Sequence, residues 1–128
     1  MPASSTLQDI LIMQLKEYPK AIARLQNQTF NFDQAIERIQ KTIKDIELEI
    51  DSHVAFNPEL RNDTQRKAKR KSMLDFHSNY WEQQEILSQT KAKREQVYIE
   101  LCLRRNEFSL LKLERREAIA KLELQAAS

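Results

Sequence analysis

From Ile22 to Ile50 the chain repeats one spacing, alternately three and four residues: Ile22, Leu25, Thr29, Phe32, Ile36, Ile39, Ile43, Ile46, Ile50. Residues three and four apart lie on one side of an α-helix, and a strand would throw alternate members of this series to opposite faces. Read as heptads, Ile22, Thr29, Ile36, Ile43 and Ile50 take position a, and Leu25, Phe32, Ile39 and Ile46 take position d. Eight of these nine are apolar. A seam sustained over four heptads predicts a coiled-coil or bundle helix, with charged stretches such as "QKTIKDIELE" facing solvent.

Composition supports the same class. The 128 residues include no glycine and three prolines, with 41% hydrophobic and 31% charged residues. This is too apolar and too balanced for disorder, and it omits the residue that most weakens a helix interior. Without glycine, neither a phosphate-binding loop nor a dinucleotide fingerprint can form.

Breaks divide the pattern into a single domain, 1–128, with four parts. Pro19 suits a helix start, where its missing amide costs nothing. That leaves a short helix over 6–17, with Leu7, Ile10, Leu11 and Leu15 on its buried side, and a long helix over 19–54. "AFNPELRND" contains Pro58 and two asparagines and reads as a connection within a tip spanning 55–77. Asn62 and Gln65 have capping-box spacing and start a short helix near Asp63 that runs to about Leu74. Asp75 or Ser78 caps the last helix, 78–125. Its seam places Tyr80, Leu87, Arg94, Leu101, Phe108, Arg115 and Leu122 at a, and Gln83, Thr90, Val97, Arg104, Leu111, Ala118 and Gln125 at d.

The expected fold is therefore all-α: an elongated antiparallel helical hairpin with a short basic helix at its tip. Folding back about the connection pairs positions whose numbers sum to about 130, so Ile50 meets Tyr80, Ile22 meets Phe108 and Leu11 meets Ile119. At a rise of about 1.5 Å per residue the last helix would run roughly 70 Å. Two helices do not shield this much apolar surface, so self-association into a bundle is expected, either from closed hairpins or from rods that exchange helices. The seam residues in that assembly are Ile22, Leu25, Phe32, Ile36, Ile39, Ile43, Ile46, Ile50, Leu87, Val97, Leu101, Phe108 and Leu111.

Charge supplies the functional candidate. The chain carries a net +2, yet Arg61, Arg66, Lys67, Lys69, Arg70 and Lys71 oppose Asp63 alone between positions 61 and 71. Six cations against one acid leave +5 there and −3 elsewhere. On the tip helix Arg66, Lys67 and Arg70 would share a face that Lys69 and Lys71 widen, a surface able to meet successive phosphates. Solubility at an exposed helix end is the simpler use of such charge. Tyr80 and Trp81 either stack on bases or, more commonly, seal the seam. Arg94, Arg104 and Arg115 interrupt the second seam and could pair with Glu37 or with acids of a second subunit, while the simpler reading has their stems cover apolar surface and their guanidinium groups stay in water.

Other chemistry is thin. His53 and His77, with Asp75, have no metal-site spacing, and solvated histidines are the expectation. Cys102 reads as a packing residue, and a lone cysteine fits a reducing compartment. No carboxylate pair is placed for acid–base work, so no enzyme, metal or cofactor is expected. The start, "MPASSTLQDILIMQL", lacks the basic region of a leader, and no apolar run is long enough to span a bilayer, which predicts a cytoplasmic protein.

The stretch "ELRNDTQRKAKRKSMLDFHSNYWEQQEIL" resembles small uncharacterised helical proteins of bacteriophages, mobile elements and bacterial genomes. In these a long helix leads to a loop with Asn, an acid and an Arg, then a short helix, an Asp-containing break and a Tyr. The matching positions here are Asn62, Asp63, Arg66, Ala68, Leu74, Asp75 and Tyr80, and the short first helix before Pro19 is similar too. The chain departs from them in carrying Lys and Arg where their short helix is alanine-rich. The resemblance implies an accessory role in DNA metabolism. The competing expectation is a coiled-coil module that binds another protein's helices and no nucleic acid.

Overall fold

The computed structural model describes residues 7–127, with side chains described from Gln14 on. The described chain is all-helical: α1 (Leu7–Ala55), α2 (Asp63–Asp75) and α3 (Ser78–Ala127). No helix among these residues is long and apolar enough to cross a membrane. Two compact units are formed, one by Asn31–Arg94 and one by the described residues of Met1–Phe30 and Glu95–Ser128. Both α1 and α3 contribute residues to each.

α1 runs through the break expected at Pro19, as one helix of 49 residues with the proline inside it. A proline removes one intrahelical hydrogen bond and crowds the carbonyl four residues before it, here that of Leu15. Pro19 is exposed, so a carbonyl left without its amide there lies within reach of water. One lost bond among the many of a long helix does not end it. Of the residues expected to form the buried side of a separate first helix, Leu15 is half-buried. Leu7, Ile10 and Leu11 lie outside the residues whose side chains are described.

In the Asn31–Arg94 unit the core is a cluster of Ile46, Ile50, Val54 and Leu74, flanked by Leu60, Met73 and Tyr80. Phe32, Ile36 and Ile39 of α1 and Leu87 of α3 are half-buried, and Ile43 is buried. Two polar contacts fix the local register. The Tyr80 hydroxyl donates to Glu47 at 3.4 Å, and Arg94 Nε donates to Asp33 Oδ1 at 2.8 Å. Moving from the first to the second, the α3 partner advances from 80 to 94 while the α1 partner retreats from 47 to 33.

These pairs sum to 127, within a turn of the expected sum of about 130, and Tyr80 packs against the cluster that contains Ile50. Arg94 takes Asp33 rather than Glu37. Leu74 packs with Ile50 and Val54, and Arg70 binds Asp51, so the last turns of α1 are covered by α2.

In the other unit Leu25, Thr29 and Leu101 are buried, and Ile22, Val97, Phe108 and Leu111 are half-buried. Thr29, the one polar member of the α1 seam, satisfies its hydroxyl within its own helix by donating to the Leu25 carbonyl at 2.9 Å. Phe108 stacks on Tyr18, one turn before Ile22, with ring centroids 5.7 Å apart. The Tyr18 hydroxyl donates to Glu107 at 2.8 Å, and Arg104 donates to the same carboxylate oxygen at 2.9 Å.

Candidate nucleic-acid interface

α2 starts where its cap residues dictate. Asn62 Oδ1 accepts from the Gln65 amide at 2.9 Å, and Gln65 Oε1 accepts from the Arg61 amide at 2.8 Å. The reciprocal bond of a capping box ordinarily returns to the cap residue itself; here it reaches one residue further back. Asp63 in the first turn suits the positive helix end and pairs with Arg66 at 2.9 Å.

Burial then sorts the basic residues into two groups. Arg66, Arg70, Met73 and Leu74 are the half-buried or buried residues of α2, at the spacing of one helix face. Arg61, Lys67, Lys69 and Lys71 are exposed. Arg66 and Arg70 are less exposed than the lysines, yet their side chains remain 42% exposed, and Arg70 lines a cleft together with Lys67 and Lys71. Burying Met73 and Leu74 fixes the rotation of the helix, and residues 66 and 70 then fall at the half-buried edge of the packed stripe. Arginine suits such a position because its stem covers apolar surface while its head reaches an acid. Arg70 Nε donates to Asp51 at 2.6 Å. That hydrogen bond raises the guanidinium pKa above its ordinary value, against an opposing pull from burial. Among the described residues Arg61, Lys67, Lys69 and Lys71 form no ion pair.

A cleft of ≈ 270 Å³ lies between α2 and the start of α3, lined by Lys67, Arg70, Lys71, Leu74, Asp75, Tyr80 and Trp81. Its two aromatics have different roles. Tyr80 packs against the core cluster and bonds Glu47, whereas Trp81 is 52% exposed. Their rings meet edge to face, 5.3 Å between centroids at 81°.

His77 holds the start of α3. Its Nδ1 accepts from the Tyr80 amide at 3.0 Å, the bond that a polar cap residue makes to the third residue of a helix. Neither Asp75 nor Ser78, the two candidates by residue type, makes it; imidazole is an uncommon cap and sequence gave no sign of it. His53 is exposed, and no group of three His, Cys, Asp or Glu among the described residues could hold a metal ion.

Sequence reasoning also passed over Phe56 and Phe76, which are 83% and 88% exposed. Phe56 follows directly on α1 and Phe76 on α2, and each falls outside both heptad seams. An aromatic in a turn and off the seam has no core to enter, and that was the available signal.

Of the seam arginines, Arg94 pairs with Asp33 and Arg104 with Glu100 and Glu107, all within the chain. Arg115 is exposed. It lines a second cleft, ≈ 370 Å³, with Leu15, Phe108, Lys112, Arg116 and Ile119. The Phe108 ring there is already engaged by Tyr18 and by Lys112, whose Nζ lies 4.5 Å from the centroid. Cys102 is free and half-buried.

No protein-family model, curated protein or solved structure matches the chain. Geometry and charge carry the functional reading.

Proposed function

We propose that this chain is a non-enzymatic helical scaffold, folded as an antiparallel hairpin, that self-associates and presents α2 at its tip to nucleic acid. The observation that carries this reading is the sorting of the tip cations. Arg61, Lys67, Lys69 and Lys71 are exposed without ion pairs among the described residues, and an exposed tryptophan shares a cleft with two of them. Charges that served packing alone would be expected to find acids, as Arg66 and Arg70 do. Lys67 and Lys71 stand one turn apart on α2, with Lys69 on the helix and Arg61 just before it adding charge, and aromatics beside cations are the usual companions in strand-binding surfaces.

The test is fluorescence anisotropy of labelled single- and double-stranded oligonucleotides across a salt series. Three or four phosphate contacts give a log–log salt slope of about −2 to −4. The triple variant Lys67→Glu, Lys69→Glu, Lys71→Glu spares the Arg70–Asp51 pair and should abolish binding. Unchanged binding in that variant, or none by the wild type at low salt, rejects the reading.

A second reading has its own observation. Ile99, Leu103, Leu110 and Leu113 are half or more exposed and follow a three–four spacing on the side of α3 away from its a and d positions. Such a file suits a partner helix, and it relocates the interaction surface from the arginines, two of which are paired within the chain. Sedimentation of Leu103→Glu, Leu110→Glu against wild type tests whether that helix belongs to a second copy of the chain: an unchanged state of association in the double variant removes this face as a self-association contact.

A further inference from the structure

We infer that the cleft between α2 and α3 is a stacking site for an unpaired nucleobase, with the Trp81 indole as platform and Lys67 and Lys71 as its phosphate contacts. This rests on the nucleic-acid reading of the tip and names the class of strand it takes.

The volume sets the size of the guest. At ≈ 270 Å³ the cleft falls just below the range of about 300–1,000 Å³ usual for whole small-molecule ligands, so it suits a single planar group. The walls set its chemistry. Leu74 and the two aromatics are apolar, and Lys67, Arg70 and Lys71 are cationic. An apolar platform edged by cations matches a base with its flanking phosphates and fits a bare anion poorly. Asp75, also in the wall, repels phosphate but accepts from the N–H groups on a base edge, so the base and not the backbone belongs inside.

The platform is held open. Tyr80 is anchored in the core cluster and bonded to Glu47, and its edge-to-face contact with Trp81 can occupy at most one face of the indole. The other face is left for a ligand, consistent with 52% exposure. Arg70 is oriented by Asp51, so the cationic wall is fixed from behind while Lys67 and Lys71, one turn apart, stay exposed. In a duplex both faces of every internal base are covered by neighbours. Only an unpaired base can use the indole.

Trp81 is the chain's single tryptophan, so its emission reports this site alone. The full chain is titrated with a short oligothymidylate, with a matched duplex and with heparin, a polyanion without bases. The expected result is quenching of Trp81 by the single strand and none by heparin or duplex. Trp81→Ala should weaken single-strand binding about tenfold or more, the loss typical of one stacked base, while heparin binding stays within twofold. Trp81→Phe, which keeps a ring, should recover most of the affinity, and this separates stacking from a folding defect. Single-strand binding without quenching and unaffected by Trp81→Ala overturns the stacking site and leaves the basic tip standing. No binding to any of the three polyanions at low salt removes both.

Discussion

Leu101 and Leu110 offer a comparison inside one helix that isolates burial from everything else. Leu101 is 3% exposed and Leu110 61%, both lie in α3 of the same compact unit, and Leu→Ala is the same chemical change with the same helix propensity difference. Truncating Leu101 removes three buried carbon groups at about 0.8 kcal/mol each, roughly 2.4 kcal/mol. The unfilled cavity adds to this, giving about 3 kcal/mol within the usual 2–5 for such a change. Leu110→Ala should fall within about 0.5 kcal/mol of wild type, as surface substitutions do. Urea denaturation followed by far-UV ellipticity reads the difference. With a slope near 2 kcal/mol per molar urea, the midpoint of Leu101→Ala should drop by about 1.5 M and that of Leu110→Ala by less than about 0.3 M. Equal losses at the two positions would refute the burial assignment. A loss at Leu110 that shrinks on dilution would instead mark its face as an oligomer contact.

Two further outcomes follow from the same geometry. His77→Ala should cost about 1 kcal/mol through the lost cap on the Tyr80 amide, and His77→Asn, which supplies another acceptor, should recover most of it; equal losses in urea midpoints would mean that the imidazole does not cap. Tyr18→Phe keeps the stack on Phe108 and deletes only the hydrogen bond to Glu107. That bond, followed by the one from Arg104, holds the Glu107 carboxyl below its ordinary pKa, and it raises the Tyr18 phenol. The carboxylate contribution is present above the unfolded carboxyl pKa and is lost as pH falls through the lowered folded one. The phenol contribution is present below the unfolded phenol pKa and is lost as pH rises through the raised one. The melting-temperature gap between wild type and Tyr18→Phe should therefore be open at neutral pH and close at both extremes; a gap constant with pH would exclude the hydrogen bond as its source.

The helical class could be read from residues because a three–four apolar spacing has one common structural solution, and burial in α1 from Ile22 to Ile50 follows that spacing. The α2 start was equally legible, since Asn62 and Gln65 act within a few residues of each other. Three features were not. Continuation through Pro19 depends on helix already formed on both sides, which a local rule does not weigh. The rotation of α2 depends on Met73 and Leu74 finding their packing partners, so a charge pattern alone could not separate the half-buried arginines from the exposed lysines. The α3 seam was blurred because Ile99, Leu103, Leu110 and Leu113 form a second apolar file and dilute the amphipathic signal. The candidate site shares the second difficulty and adds two of its own: its cations and its platform come from different helices, and the cap that starts α3 is a histidine.

The distribution of charge on α2 connects the fold to the proposed site. Its half-buried arginines are paired with Asp63 and Asp51, while Lys67 and Lys71, one turn apart, repel each other by a few tenths of a kcal/mol. Nothing in the packing of α2 on α1 requires that repulsion, since polar uncharged residues at 67 and 71 would leave Leu74 and Met73 where they are. An anion between the two lysines would remove the repulsion and add two charge-assisted contacts. The outer charges therefore contribute more to a complex than to the free chain. In a complex with unpaired strand, the phosphates on either side of a base stacked on Trp81 would lie where those two lysines can reach them.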